Sequence, residues 1–126
     1  MATKKIVNTD KAPAAVGTYS QGVVHGNTWY FSGQIGLDPV AMELKKSFKE
    51  QLEQILKNVD ALLSSEKLER TDIVKTTIFM TDLKEFPEVN AAYEKYFTKP
   101  YPARSTVQVS ALPKGAVVEI EVLAAK

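Results

Sequence analysis

The sequence predicts an α+β protein, a mixed β-sheet with two helices on one face, in the order β-β-β-α-β-α-β-β. Three observations lead there. Phe48, Leu52, Ile55, Leu56, Val59, Leu62 and Leu63 form one apolar stripe at helical spacing. A second, shorter stripe follows at Phe86, Val89, Tyr93 and Phe97. Runs rich in β-branched residues, "DIVKTTIFMTDL" and "AVVEIEVLAA", lie between and after the stripes, so helices and strands interleave.

Each element follows from local chemistry. "KKIVNTDKAPAAVG" begins as a short strand and becomes a Pro/Ala/Gly loop. "TYSQGVVHGNTWYFSGQIG" reads as two strands about a turn at Gly26-Asn27, residue types that accept the positive φ of a tight hairpin. "LDPVAMELKK" is a loop. Ser47 and Glu50 have capping-box spacing and start the long helix. Asp82 and Glu85 mark the start of the second helix, with Asn90 on or beside its stripe, and Pro100 and Pro102 close that region. "ARSTVQV" and "AVVEIEVLAA" are expected to form a final strand pair around "SALPKG".

Two helices cover only one face of a sheet. Val107, Val109, Val118 and Ile120 are assigned to one apolar side, while Tyr30, Val117 and Leu123 leave apolar surface on the other. A chain of 126 residues makes one domain, 1–126, with no second layer to cover that side. Self-association through the bare face is therefore expected.

Bulk properties exclude several function classes. Hydrophobic content of 44% and charged content of 25% are those of an ordinary globular protein. A net charge of +1 gives nucleic acid or an anionic membrane little to bind. The absence of cysteine excludes disulfides and thiolate chemistry, and the single His25 cannot build a histidine cluster for zinc. The first residues, "MATKKIVNTDKAP", carry no long apolar run, so the expected location is the cytoplasm, with no membrane contact.

The last strand poses the chemical question. Val118, Ile120 and Val122 share one face, while Glu119 and Glu121 sit between Val117 and Leu123 on the other. Two carboxylates on a half-apolar face fit solvated strand residues, or a partly covered face that holds a cation or a water. In "YPARSTVQV", Arg104, Thr106 and Gln108 share a face, and Arg104 follows a proline pair. Its planar guanidinium suits a salt bridge to Glu119 or Glu121 across a strand pair first, and a ligand carboxylate second. "SGQIG" places Ser32, Gly33 and Gly36 after a strand, either an N–H contact for an anion or a strand end with a bulge. It lacks the phosphate-loop and dinucleotide-binding spacings. Tyr19 and Asn90 are further polar candidates: a packed edge aromatic or a pocket group, and a helix-to-loop hydrogen bond or a ligand contact.

These segments resemble the RidA/YjgF family of reactive-intermediate (imine/enamine) deaminases. The resemblance rests on "APAAVGTYSQGV", "FSGQIGLDP", "DIVKTTIFMTDL", "VNAAYEKYF" and "YPARSTVQVSALPKGAVVEIEVLA", in that order over nearly the whole chain. It implies a chorismate-mutase-like fold assembled as a homotrimer, with ligand clefts between subunits and no cofactor or metal. It implies hydrolytic deamination of 2-iminobutanoate and 2-iminopropanoate to 2-oxo acids and ammonia, which protects pyridoxal-phosphate enzymes. The family's carboxylate-binding arginine falls on Arg104 and its strand acid on Glu119. Its other cleft residues fall on Tyr19, Ser32, Gly33 and Asn90. Thr106 stands where many members have cysteine, and "FTKPYPARS" is shorter than in many members. Two other roles are weighed beside this one, a non-catalytic trimer that binds small acids and a ribonuclease or translation inhibitor.

Overall fold

The computed structural model describes residues 3–126. It contains strands β1 (Lys5–Val7), β2 (Gly22–His25), β3 (Thr28–Phe31), β4 (Ile73–Met80), β5 (Ala103–Gln108) and β6 (Val118–Ala125), with helices α1 (Phe48–Ser65) and α2 (Phe86–Tyr96). The strands form a six-stranded sheet in the order β1-β2-β3-β6-β4-β5. β4 and β5 are parallel, and the other neighbours are antiparallel.

Local signals set the helix starts. The Ser47 hydroxyl accepts from the Glu50 amide at 3.1 Å, and the Glu50 carboxylate accepts from the Ser47 amide at 3.2 Å. This is the capping box read from the sequence. Asp82 does cap a helical turn, accepting from the Lys84 amide at 2.9 Å, but that turn is a 3-10 segment, Leu83–Glu85. α2 proper begins at Phe86, with a proline in its first turn.

The expected pairing of the last two strands is not found. β5 pairs with β4, and β6 lies on the other side of β4, between β4 and β3. A parallel pair needs a long crossover, and α2 supplies it between β4 and β5. The order also corrects the face assigned to Val107. Directly paired residues share a face, and Val107 pairs with Phe79, which pairs with Glu119. Val107 therefore lies opposite Val118 and Ile120. At the hairpin turn only Gly26 takes a positive φ, of 63°.

One sheet face is buried under both helices. Ile78, Met80, Val118, Ile120 and Val122 join Ile55, Val59, Leu62, Val89 and Tyr93 in one core. Among the described residues no helix covers the other face. A row runs across it through Ile6, Val23, Tyr30 and Leu123. Ile6 is 56% exposed, Tyr30 48% and Val107 42%, so apolar surface is left open there.

α1 carries more than an apolar stripe. Gln51, Gln54 and Asn58 are buried along it. The Gln51 amide donates to the Lys45 carbonyl and its oxygen accepts from the Val117 amide, both at 3.0 Å. Asn58 donates to the Leu37 carbonyl at 3.0 Å and accepts from Gln54. These amides fasten the loop 34–45 and the chain leading into β6 to one helix. Gly36 lies so close that an added Cβ would sit 2.6 Å from Gln51 Cα and 2.8 Å from its carbonyl oxygen. Gly36→Ala should therefore lower stability by about 1–3 kcal/mol, read from the urea midpoint. A midpoint equal to the parent's would show that the loop yields without cost.

Candidate functional site

The sequence candidates gather in two places. The first is a cavity of about 670 Å³ where the segment before β2, the loop after β3 and the end of the chain meet. Tyr19, Ser32, Gly33, Lys114, Glu119 and Glu121 line it, with Gln21, Pro13, Val16 and Met42. Glu119 presses against Gly33, where any Cβ would overlap its carboxylate. A side chain at this position would move the Glu119 carboxylate. Burial pushes the Glu119 carboxyl above the ordinary range, and the Glu121 charge pushes the same way. A carboxylate with a raised pKa is a better base for water than an ordinary one.

Backbone geometry sets the rest of that wall. The Ser32 hydroxyl donates to the Ser20 carbonyl at 2.6 Å, and the Ser32 amide donates to the Gln21 carbonyl at 2.9 Å. Ser32 thus ties the loop after β3 to the chain before β2. Tyr19 is 54% exposed, and its hydroxyl accepts from the Val16 amide at 3.4 Å. It is a rim residue and not a packed edge aromatic.

Arg104 occupies the second place, a cavity of about 390 Å³ lined by Asn90, Tyr93, Glu94, Tyr101, Pro102 and Arg104. A guanidinium N–H donates to Asn90 Oδ1 at 3.1 Å, and its carbon lies 4.9 Å from the Phe86 ring centroid and 5.8 Å from that of Tyr93. Asn90 is exposed on α2, so it orients the guanidinium and is not the buried amide that its stripe position suggested. Burial pushes the Tyr93 phenol up to about 12, so it stays protonated. Thr106 lies two residues beyond Arg104 on the same strand face, half-buried.

Within one chain the two places do not meet. Arg104 pairs with Thr76, and Thr76 with Val122, so Arg104 belongs to the helix-covered side. Glu119 pairs with Phe79 on the open side. The salt bridge between Arg104 and Glu119 or Glu121 is accordingly absent. The ion pairs among the described residues are Lys45–Asp38 and Arg70–Asp60. Sequence reasoning missed Gln21, Tyr93, Tyr101 and Lys114. Tyr93 could have been found from its place one turn after Asn90 on the same helix face. Tyr101 could have been found from its place between Pro100 and Pro102. No cluster of three or more His, Asp or Glu side chains converges as a metal site among the described residues, and none of the helices is long and apolar enough to cross a membrane.

The one-sided α+β sheet thus carries one cavity lined by Glu119 and Glu121 and another lined by Arg104. Residues 9–126 match the family model described as Endoribonuclease L-PSP, and the chain belongs to this family, the RidA/YjgF proteins. It is 44% identical over 122 residues to the 2-iminobutanoate/2-iminopropanoate deaminase of Rattus norvegicus, covering 96% of this chain and 89% of that one. The crystal structure of RidA from an Antarctic Psychrobacter superposes with a TM-score of 0.94 at 49% identity, covering 97% of this chain and 99% of that one. E. coli TdcF with bound serine superposes with a TM-score of 0.91 at 40% identity, covering 97% of this chain and 98% of that one.

Proposed function

We propose that this protein is a hydrolytic deaminase of 2-imino acids, working as a chorismate-mutase-like homotrimer in which Arg104 of one copy and Glu119 of the next share a cleft. The observation that carries the reading is the separation of the two charges. Among the described residues neither Arg104 nor Glu119 has an ionic partner, and the two lie on opposite sides of the sheet. A contact joining the open face of one copy to the β5–α2 edge of another is heterologous, and such a contact makes a ring where its rotation closes, as a threefold rotation does. The exposed Ile6, Tyr30 and Val107 support burial of that face.

In the shared cleft Arg104 clamps the substrate carboxylate through parallel hydrogen bonds, with Asn90 fixing the guanidinium. Backbone N–H groups at Gly33 and Thr106 help to orient it. Glu119 takes a proton from water as the oxygen attacks the iminium carbon, which gives a carbinolamine. Glu119 then gives that proton to nitrogen and takes the hydroxyl proton as the C–N bond breaks, so that ammonia and a 2-oxo acid leave. An iminium is already electrophilic, so positioning and one base suffice without a cofactor. Tyr19 closes the cleft, and Ser32 braces its wall. The serine bound by TdcF supports a pocket of amino-acid size. The substrates we assign are 2-iminobutanoate and 2-iminopropanoate, whose removal spares pyridoxal-phosphate enzymes.

The test is ammonia and 2-oxo acid release from enzymatically generated 2-iminobutanoate, with a trapping reagent competing for the imine and sedimentation run on the same sample. Acceleration by a trimer is expected. A folded trimer that binds 2-oxo acids without acceleration would make the protein an acid-binding module instead.

A further inference from the structure

Gln21 has no part in the proposed reaction, yet it is 2% exposed and sits in the wall of the Glu119 cavity. A buried amide must be satisfied, and this one is satisfied entirely by the chain that precedes it. Its oxygen accepts from the Thr9 amide at 2.7 Å. Its nitrogen donates to the carbonyls of Thr9 and Pro13 at 2.9 Å, with a longer contact to Ala12 at 3.3 Å. One side chain therefore holds a segment without regular structure against the start of β2. The residues that the segment brings to the cavity, Pro13, Ala14 and Val16, are apolar. Ile35 and Met42 face the same space from the loop after β3. The cavity thus has an acidic part at Glu119 and an apolar wall that Gln21 ties to the start of β2.

We propose that Gln21 is a positioning residue for substrate selectivity, holding residues 9–16 as the apolar wall that receives the side chain of a 2-imino acid. This rests on the deaminase reading and adds to it a side-chain preference, branched aliphatic chains such as that of 2-imino-4-methylpentanoate over the methyl of 2-iminopropanoate. With the carboxylate on Arg104 and the reacting carbon at Glu119, the alkyl chain has the Pro13–Val16 wall to lie against. A hydrophobic pocket separates substrates by roughly tenfold or more per methylene, so loss of the wall should appear as lost discrimination.

The experiment compares kcat/KM for 2-imino-4-methylpentanoate and 2-iminopropanoate in the parent, Gln21→Met and Gln21→Asn. Gln21→Met keeps the bulk and removes the hydrogen bonds. Its ratio of the two values should fall by about tenfold, mostly through KM for the longer substrate. Gln21→Asn keeps the amide and should recover part of the ratio. Circular dichroism reports whether the sheet persists, and trypsin cleavage after the exposed Lys11 reports release of the segment. Faster cleavage of a folded Gln21→Met variant is expected. An unchanged ratio, an equal loss on both substrates, or unchanged cleavage would overturn the assignment. A parent that accelerates neither substrate would remove the deaminase reading itself, a result distinct from a parent that turns over both without a change of ratio in the variants. Val16→Ala, which leaves the Gln21 hydrogen bonds in place, should lower the same ratio in a fully folded protein; no change there would also overturn it.

Discussion

Arg104→Ala should lower kcat/KM for 2-iminobutanoate by about 10²–10³-fold while leaving the thermal midpoint close to the parent's. Bidentate hydrogen bonds between a guanidinium and a carboxylate are among the strongest that proteins make, and about 1.4 kcal/mol corresponds to a factor of ten. Losing them removes both binding energy and the orientation of the reacting carbon toward Glu119. The folded chain loses little. Arg104 is exposed, and its internal contacts are one hydrogen bond to Asn90 and the ring faces of Phe86 and Tyr93. Contacts of that kind at exposed sites are worth on the order of 1 kcal/mol or less. Arg104→Lys should recover only part of the rate, because an ammonium keeps the charge and loses the fork. Steady-state kinetics beside a calorimetric scan checks both halves. A variant with parental kinetics would place the substrate carboxylate elsewhere.

Glu119→Gln should lower the rate by about 10²–10⁴-fold and raise stability at neutral pH. The two effects have one cause. Burial raises the folded-state pKa of Glu119, and Glu121 adds to it. The folded state then binds the proton more tightly than the unfolded state does. The resulting stability is present below the ordinary carboxylate pKa and is lost as pH rises through the raised one. At neutral pH the ionised carboxylate weighs against the fold, and the neutral amide removes that cost. The midpoint of Glu119→Gln should exceed the parent's at pH 7, and the gap should close on acidification into the ordinary carboxylate range. The parent's activity should fall with acid through the raised pKa. Midpoints measured across pH would sink this account if the glutamine protein were the less stable at pH 7. Full activity in the variant would mean that another group handles the water.

Elements that depend on neighbours in sequence were legible in the sequence. The capping box at Ser47, the stripe of α1 and the β2–β3 hairpin at Gly26-Asn27 all formed as read, because their interactions close within a few residues. The alternation in β6 showed correctly that Glu119 and Glu121 share a face apart from Val118 and Ile120. Arg104 and Asn90 were each picked out in the sequence, but their hydrogen bond was not.

Other features depend on long-range pairing. Alternation says which residues of one strand go together, but not which side of the sheet they join. That is fixed by the partner strand and its register. β5 pairs with β4 through the α2 crossover, so Val107 and Arg104 fall on sides that no strand reveals alone. Gln21 was passed over for a similar reason. Its partners lie 8–12 residues back in a loop, and a glutamine carries no sign of burial until its neighbours enclose it. The sequence by itself determined the elements and the chemistry of the candidate groups, because propensity, capping and ionisation belong to residues and short segments. Only the tertiary structure decided that Arg104 and Glu119 stand on opposite sides of one sheet, because that depends on which strands pair and in what register.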